Sequence, residues 1–295
     1  MSRSAILPLA AARFAGPMTT TRPILVLGGT GKTGRRVASR LRERGHEVRA
    51  ASRNGPARFD WSDESTWEPV LKGVGAAYLI DSQLDDAAGT LRDFSRLAVD
   101  GGVERLVLLS NRDWVVPAGE EKLPSERVVR ESGAAWTILK PAWFAQNFSE
   151  DAFFRRQIVD GDVVTSAGDG VEPFVDADDI ADVAVAALTQ DGHAGQSYEL
   201  TGPRRLSLAA VTAEIARATG RRLTHHPISP ADHMAYATGR GLSEDYAALL
   251  NTLYAWIGEN RFADLADGVQ RALGREPRDF TDYARHTAAT GVWHR

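Results

Sequence analysis

The chain of 295 residues contains 35 basic and 39 acidic side chains and no cysteine, and its formal charge is −4. This length permits one large α/β domain or a domain with a smaller companion. The lack of cysteine excludes disulfides and thiolate chemistry, and the lack of a dominant basic stretch predicts no nucleic-acid partner.

Residues 1–21 are interpreted as an N-terminal tail. Arg3 and the apolar residues after it faintly resemble a signal peptide, but Pro8 and Arg13 interrupt the apolar stretch, so Met18 is interpreted as the start of the folded unit. No other apolar run approaches the roughly 18–20 residues needed to cross a bilayer. We therefore expect a cytoplasmic protein with no membrane-spanning segment.

The first predicted elements form a strand, a turn, a helix and a second strand. Residues 23–27 are a continuous apolar run, as expected of a strand buried on both faces of a parallel sheet, and the glycine-rich segment 28–34 follows directly. Apolar residues at helical spacing predict a helix over 35–44, and 47–52 is predicted to be the second strand. Together these elements have the size of a βαβ unit.

The alternation of strands and helices continues along the chain. Further strands are predicted at 76–80, 105–110, 136–140 and 196–200, and helices at 65–71, 87–100, 125–131, 147–159 and 179–189. This order is typical of a Rossmann-type α/β fold, a doubly wound parallel sheet with helices on both faces. We assign residues 22–202 to this domain, with 147–175 contributing to its cleft.

Helices predominate in the last third of the chain. They are predicted at 207–219, 243–257, 262–273 and 279–287. We therefore predict a smaller, mostly helical C-terminal substrate subdomain over 203–295. A subdomain placed beside the carboxyl ends of the parallel strands would form one wall of a substrate cleft.

The glycine-rich turn has the spacing of a dinucleotide-binding loop. Gly28 allows a tight turn, Gly31 lets the backbone approach a pyrophosphate, and Gly34 permits close packing of the helix against the strand. The free N–H groups of the following helix attract phosphate. A P-loop would need glycine where Val26 stands, whereas a β–α turn without a ligand remains an alternative. The residues between the glycines that we also expect to contact the cofactor are Thr30, Lys32 and Thr33.

The end of the second predicted strand indicates which dinucleotide binds. NAD-binding folds usually place Asp or Glu there, to accept hydrogen bonds from the ribose hydroxyls. Here the strand ends at Ser52 and Arg53, and Arg53 is a cation suited to a 2′-phosphate. Lys32 adds a second cation near the same region. The sequence therefore predicts NADP(H) as the cofactor, with a solvated loop charge at Arg53 as the alternative.

These segments resemble the NmrA-like branch of the atypical short-chain dehydrogenase/reductases. The glycine spacing looks like the nucleotide motif of that branch, and Asp60 and Trp61 lie in a stretch similar to its adenine-side loop, whose Asp commonly contacts the base. Residues 140–147 resemble its nicotinamide-side segment. The resemblance covers about 22–293 and is greatest to enzymes of the festuclavine and agroclavine synthase type, which reduce iminium groups with NADPH. Two further family-like segments are 243–246 and 290–293.

The resemblance also implies where catalysis takes place. Reductases of the wider superfamily use Tyr-x-x-x-Lys with an upstream Ser, and the Tyr donates a proton to the substrate oxygen. Lys122 and Ser110 match the Lys and the Ser and are our catalytic candidates, but Ala118 stands where the Tyr is expected. A positioned acid typically raises the rate of such a reduction by about 10²–10⁴-fold, and the missing Tyr would remove this contribution. The remaining residues expected to bind the cofactor are Ile80, Ser110, Lys122, Pro141, Trp143 and Phe144.

Three explanations are compatible with the missing Tyr: the acceptor is already reactive, another group supplies the proton, or no hydride is transferred. We favour an NADPH-dependent oxidoreductase that reduces a preactivated acceptor, an iminium or quinone-like, polycyclic small molecule of secondary metabolism. The alternative is a non-enzymatic NADP(H)-binding redox sensor of the NmrA type. A monomer or a homodimer is expected. We predict that a flat apolar substrate pocket is lined by Trp114, Trp143, Asn147, Phe148 and Phe174. Each of these aromatic rings is equally compatible with packing in the core.

Two polar clusters receive structural interpretations. Three histidines lie close together in the sequence: His225, His226 and His233. No carboxylate stands at metal-ligand spacing from them, so we expect no metal site and interpret them as surface or pocket-rim residues. Helix capping and helix-dipole interactions explain the acidic cluster more simply than acid/base chemistry does; its members are Asp176, Asp178, Asp179 and Asp182.

Overall fold

A computed structural model describes residues 22–82, 85–112 and 124–294. The strands in chain order are β1 Ile24–Leu27, β2 Val48–Ser52, β3 Ala57–Arg58, β4 Ala76–Ile80, β5 Arg105–Leu109, β6 Ala135–Pro141, β7 Asp162–Thr165, β8 Val171–Glu172, β9 Gln196–Leu200, β10 Leu206–Ser207 and β11 Thr224–Pro227. The helices are α1 Gly34–Glu43, α2 Trp67–Leu71, α3 Ala87–Asp100, α4 Pro124–Arg130, α5 Asn147–Glu150, α6 Ala152–Asp160, α7 Ala177–Thr189, α8 Leu208–Thr219, α9 Pro230–Gly239, α10 Glu244–Gly258, α11 Gly268–Leu273 and α12 Phe280–Ala289, and a 3₁₀ turn spans Glu64–Thr66.

Seven of the described strands form one parallel sheet in the order β3-β2-β1-β4-β5-β6-β9. The chain moves outward from β1 to β3 and then returns to the other side of β1 at β4. This reversal opens a crevice at the carboxyl ends of β1 and β4, where ligands of such sheets bind. The order confirms the predicted Rossmann-type, doubly wound fold.

Helices cover both faces of this sheet. On one face α1, α7 and α11 pack against the strands, and on the other α2, α3 and α4 do so. The central strand β1 is fully buried along its whole length, which explains why its sequence is apolar without alternation. The sheet is therefore a rigid platform for the loops that leave its carboxyl edge.

A second apolar core lies among the elements that follow β6. Side chains of α5, α6, α8, α10 and α12 pack together there, with Tyr254 and Trp293 among the largest fully buried residues. The Trp293 indole Nε1–H donates to the carbonyl of Phe148 at 2.9 Å, which ties the end of the described chain to α5. None of the helices in the described ranges combines the length and apolar character required to cross a bilayer.

Two predicted helices differ from the structure. The helix predicted over 147–159 is interrupted at Asp151, whose backbone is extended and whose carboxylate accepts from the Phe153 N–H at 2.9 Å. The helix predicted over 262–273 begins only at Gly268. At Asp151 this side-chain hydrogen bond competes with a continuous helix. Asp267, which precedes Gly268, makes no such capping bond. The short strands β3, β7, β8, β10 and β11 and the helix α9 were also not predicted.

The acidic cluster caps a helix and joins helices. Asp176 caps α7 and accepts from the Asp178 N–H at 2.8 Å, which confirms its predicted role. Asp178 pairs with Arg36 at 2.9 Å, and Asp182 pairs with Arg40 at 2.7 Å. The cluster therefore also links α7 to α1 through ion pairs that the sequence does not reveal.

One of the three histidines lies elsewhere than predicted. His225 and His226 lie on β11, within hydrogen-bond distance of Thr165 and Asp162 respectively. His233 is wholly buried on α9 with its ring against Tyr254, so its assignment to a surface or pocket rim is wrong. Among the residues that the structure describes, no three His, Asp or Glu side chains are grouped closely enough to hold a metal ion.

Candidate active site

The glycine turn closely follows the carboxyl end of β1. Gly28 has a φ of +63°, and the Gly31 N–H donates to its carbonyl at 2.8 Å, which closes the turn. A Cβ on Gly28 would lie 2.5 Å from Ile80 Cδ1, and a Cβ on Gly34 would lie 2.2 Å from the Gly28 carbonyl oxygen. The positive φ therefore favours glycine at position 28, and at position 34 only glycine fits without a shift of the backbone.

The start of α1 is available to a phosphate. Its N-cap, Thr33, makes no side-chain capping bond, and the first turn carries no acidic residue. Thr30 and Gly31 are exposed beside it. Uncapped N–H groups and the positive end of the helix dipole together form an anion site, so these residues fit the pyrophosphate of a dinucleotide.

The end of β2 presents polar atoms at the adenosine side. The Ser52 hydroxyl and the Trp61 indole N–H are buried and lack a hydrogen-bond partner within the described part of the chain. Asp60 accepts from both the N–H and the hydroxyl of Ser62, at 3.0 and 2.7 Å, and these bonds hold the pKa of its carboxyl below the usual range. Arg53 is exposed just beyond Ser52. The unsatisfied atoms fit a ribose and a base.

Trp61 belongs to an aromatic cluster beneath this edge. Its ring lies 4.8 Å from the Phe59 ring and 5.2 Å from the Phe94 ring, both in edge-to-face geometry. Its orientation is therefore set by packing, and only its N–H edge remains for a ligand.

A cavity of about 250 Å³ opens at the carboxyl ends of β5 and β6. Six residues predicted from the sequence line it: Lys32, Ser110, Pro141, Trp143, Phe144 and Asn147. The other lining residues are Asn111, Arg112, Ala142, Glu172, Leu253, Trp256 and Phe262. The structure therefore brings together side chains separated by more than 200 residues of sequence.

Lys32 lies in this cavity, away from the adenosine side. Its Nζ donates to Asn147 Oδ1 at 2.7 Å, and burial lowers the pKa of its ammonium group against the opposing effects of Asp151 and Glu150. The expectation of a second cation next to Arg53 is therefore wrong for Lys32. Arg58 lies beside Ser52 in the register of β2 and β3, and its guanidinium pairs with Asp63 at 3.1 Å.

Ser110 belongs to a hydrogen-bond network at the end of β5. Its hydroxyl donates to Glu126 Oε1 at 2.8 Å, and the buried Glu126 carboxylate also pairs with Arg130 at 2.8 Å and with Lys140 at 3.6 Å. The hydrogen bond to Glu126 therefore orients the hydroxyl of Ser110, which also lines the cavity. Lys122, Ala118 and Trp114 lie outside the described residues.

Two predicted pocket residues are part of the core. Phe148 and Phe174 are each only 2% exposed, their rings lie 5.5 Å apart, and neither lines the cavity. The sequence pattern of aromatic residues does not distinguish the wall of the cavity from the hydrophobic core, because aromatic side chains occur in both. Trp143 separates the two regions: it lines the cavity, and its ring lies 6.4 Å from that of Phe174.

Sequence reasoning missed Glu172 and Arg112. Glu172 lies on β8, is 3% exposed, and accepts from the Trp143 backbone N–H at 3.3 Å. Burial raises the pKa of Glu172 to about 7, while that hydrogen bond and the Arg112 charge act in the opposite direction. A single carboxylate within the apolar run 171–175 was the only signal in the sequence.

Arg112 connects the sheet edge to the distal part of the chain. Its guanidinium donates to the carbonyls of Phe262 and Asp264, each at 3.0 Å, and pairs with Glu199 at 3.3 Å. These bonds hold Phe262 over the cavity. Together with the parallel sheet and the glycine turn, this cavity defines a dinucleotide-binding protein with a substrate site beside the expected nicotinamide position.

Comparisons with known proteins agree with this class. The model of the NAD dependent epimerase/dehydratase family matches residues 24–98. The oxidoreductase YesF of Bacillus subtilis is 35% identical over 94% of this chain and 99% of its own length. The NAD(P)H azoreductase of Xenophilus azovorans is 32% identical over 91% and 99%, and the agroclavine dehydrogenase of Claviceps fusiformis is 30% identical over 88% and 95%.

A solved structure shows the same fold. The NADPH-dependent quinone oxidoreductase QOR2 of Escherichia coli superposes with a TM-score of 0.76 at 23% identity, covering 89% of this chain and 99% of its own. The chain belongs to the NAD(P)-dependent oxidoreductases of the short-chain dehydrogenase/reductase type, together with the azoreductase and the agroclavine and festuclavine enzymes. This confirms the resemblance noted in the sequence.

Proposed function

We propose that this protein is an NADPH-dependent reductase of a preactivated small-molecule acceptor, quinone-like or iminium, and that it works without the Tyr of its superfamily. The apolar cavity at the carboxyl ends of β5 and β6 carries the proposal. Four aromatic side chains line it, and none of its described lining residues is a tyrosine. Aromatic walls suit a flat polycyclic acceptor, and the names of the azoreductase and quinone oxidoreductase relatives agree with acceptors of this kind. The four aromatic residues are Trp143, Phe144, Trp256 and Phe262.

NADPH would extend from the adenosine side to this cavity and supply the hydride. The glycine turn and the start of α1 would hold the pyrophosphate, Ser52 and Asp60 the adenosine, and Ser110 with Pro141 the nicotinamide end. Lys32, bonded to Asn147, would contact the cofactor between these two ends. Asn111 Oδ1 is buried at the cavity with no partner among the described residues, as expected of an acceptor that a bound ligand satisfies.

The acceptor is tested by stopped-flow oxidation of NADPH with a panel of quinones, azo compounds and cyclic iminium ions. We expect turnover with at least one class. Trp256→Ala should lower kcat/KM for polycyclic acceptors by about 2–10-fold, the effect of losing one aromatic contact, without changing NADPH affinity. Trp136→Ala, a tryptophan outside the cavity, is the matched control. Absence of turnover with every class, together with NADPH binding, would favour the redox-sensor alternative.

The preference for NADP(H) over NAD(H) is the second part of the proposal. Arg53 and Arg58 both lie close enough to Asp60 to lower its pKa, so two cations flank the expected position of the 2′-phosphate. We expect Arg53→Ala to weaken NADPH binding about tenfold, roughly 1.4 kcal/mol, and to leave NADH binding unchanged. The control is Arg96→Ala, an exposed arginine on α3 paired with Asp93. Calorimetric titration measures both affinities. An equal loss of affinity for NADPH and NADH in Arg53→Ala, or tighter binding of NADH than of NADPH by the wild type, would contradict the preference.

A further inference from the structure

We infer that Glu172 is the proton donor when a neutral, quinone-like acceptor is reduced in the cavity at the ends of β5 and β6. This inference rests on the proposed function and adds to it the acid that replaces the missing Tyr. It assigns a catalytic role to a residue on β8, a two-residue strand that pairs with β10 at the border of the C-terminal core.

The position of Glu172 is unusual for a carboxyl group. It is 3% exposed, yet it lines the cavity together with Ser110, Trp143 and Asn147. Buried carboxyl groups are rare unless they are paired with a charge or used in chemistry. Its one hydrogen bond to a described residue comes from the Trp143 N–H at 3.3 Å, which leaves hydrogen-bonding capacity for a ligand.

The charged neighbours permit a protonated carboxyl group. Arg112 is the cation that acts on Glu172, but its guanidinium is already shared with the Glu199 carboxylate and with two backbone carbonyls. Lys32, the other cation that lines the cavity, donates to Asn147. No described residue forms a direct ion pair with Glu172, and burial dominates and raises its pKa to about 7.

The proton transfer completes a balanced reduction. NADPH supplies a hydride, that is, one hydrogen nucleus with two electrons, and a neutral quinone that accepts it becomes a hydroquinone monoanion. The Glu172 O–H bond breaks, its proton forms the second O–H bond of the hydroquinone, and Glu172 is left as a carboxylate. A hydronium ion of the solvent then returns a proton to this carboxylate, so that each turnover consumes one hydride and one solvent proton. An iminium acceptor becomes a neutral amine on gaining hydride and needs no proton.

Lys32 is the competing donor in the same cavity. Its ammonium group carries an exchangeable proton, and burial lowers its pKa. However, Lys32 belongs to the glycine turn, and its Nζ is engaged with Asn147 at 2.7 Å. A lysine at this place is better suited to hold the cofactor than to protonate an acceptor, and the test below distinguishes the two groups.

The test uses Glu172→Gln, which removes the proton and keeps the shape. The Gln oxygen can still accept from the Trp143 N–H, so the wall of the cavity is retained. We expect kcat for a neutral quinone to fall about 10²–10⁴-fold, with NADPH affinity unchanged. With a cyclic iminium acceptor kcat should be unaffected. Glu47→Gln changes an exposed glutamate that does not line the cavity, and this matched control should keep both the quinone activity and its pH dependence.

The pH profile follows from the requirement for the protonated form. In the wild type, kcat for the quinone should be constant below pH 7 and fall as the pH rises through about 7, since Glu172 is then ionised. This fall should be absent in Glu172→Gln. A fall in activity with rising pH that persists in Glu172→Gln would assign the proton to Lys32 instead.

A measurement without turnover tests the same group. Carbon-13 NMR of glutamate labelled at Cδ should show one resonance that titrates near pH 7 and that is missing from Glu172→Gln. A titration near pH 4.5 would overturn the proton-donor role. Wild-type turnover with an equally active Glu172→Gln would overturn this inference alone. If no acceptor oxidises NADPH, the proposed function fails, and the proton transfer fails with it.

Discussion

Asp179→Ala is expected to lower the free energy of unfolding by about 3 kcal/mol, the low end of the cost of breaking a buried ion pair. Asp179 on α7 is fully buried, pairs with Arg275 at 2.7 Å and with the Arg278 guanidinium, and accepts from the Arg278 N–H at 2.7 Å. The variant would leave these donors without their main acceptor. The cost stays near the low end because the guanidiniums of Arg275 and Arg278 are about one-third exposed and remain paired with Asp182.

Denaturant-induced unfolding measures this cost. The matched control is Asp191→Ala, because the Asp191 side chain is 68% exposed and pairs with Arg105 at the surface. Exposed pairs contribute about 0–1 kcal/mol, so the control should change the midpoint only slightly. Similar midpoints for the two variants would show that the Asp179 network is not important for stability. The network matters for the site because it holds the segment before α12 against the nucleotide-binding domain.

Gly34→Ala is expected to raise the dissociation constant of NADPH about 100-fold, roughly 2.8 kcal/mol, because the added Cβ would move the phosphate-binding start of α1 away from the turn. The added Cβ would lie 2.2 Å from the Gly28 carbonyl oxygen and 2.7 Å from its carbon, and both atoms are backbone. The clash can be relieved only by moving α1 away from the turn. We also expect the free energy of unfolding to fall by about 1–3 kcal/mol, as for other overpacked sites.

Gly239→Ala is the control for this prediction. Gly239 ends α9, and no described atom lies within 4 Å of its added Cβ. This variant should bind NADPH as the wild type does and should be equally or slightly more stable, since Ala favours helix more than Gly does. Isothermal titration and thermal unfolding of both variants provide the comparison. Wild-type affinity in Gly34→Ala would mean that the turn does not hold the pyrophosphate.

Much of the nucleotide-binding half could be predicted from local sequence. Residues 76–80 have the predicted bounds because this buried parallel strand reads as a continuous apolar run, and 87–100 because the helix has a clear 3.6-residue period. The strand 196–200 also has the predicted bounds, although polar residues interrupt it. The short strands such as β8 and β11 could not be predicted in this way. Each has only two to four residues and is held by pairing with a distant segment.

The site could be predicted in part, for the same reason. Lys32, Ser110 and Trp143 were predicted because they lie in or next to local motifs, and all three line the cavity. Phe262 and Trp256 could not be predicted, because they reach the cavity from the far end of the chain. Phe262 is held there by the Arg112 hydrogen bond at 3.0 Å, between residues that are 150 positions apart.

The sequence by itself determined the glycine turn between Gly28 and Gly34, the parallel sheet around it and the presence of Arg53 at the end of β2. These features depend on steric limits and apolar periods within a few residues, and such information is local. Only the tertiary structure decided that Lys32 faces Asn147 and that Glu172 is buried at the cavity. The direction of a side chain and the pKa of a carboxyl group depend on which distant segments surround them, and folding alone brings those segments together.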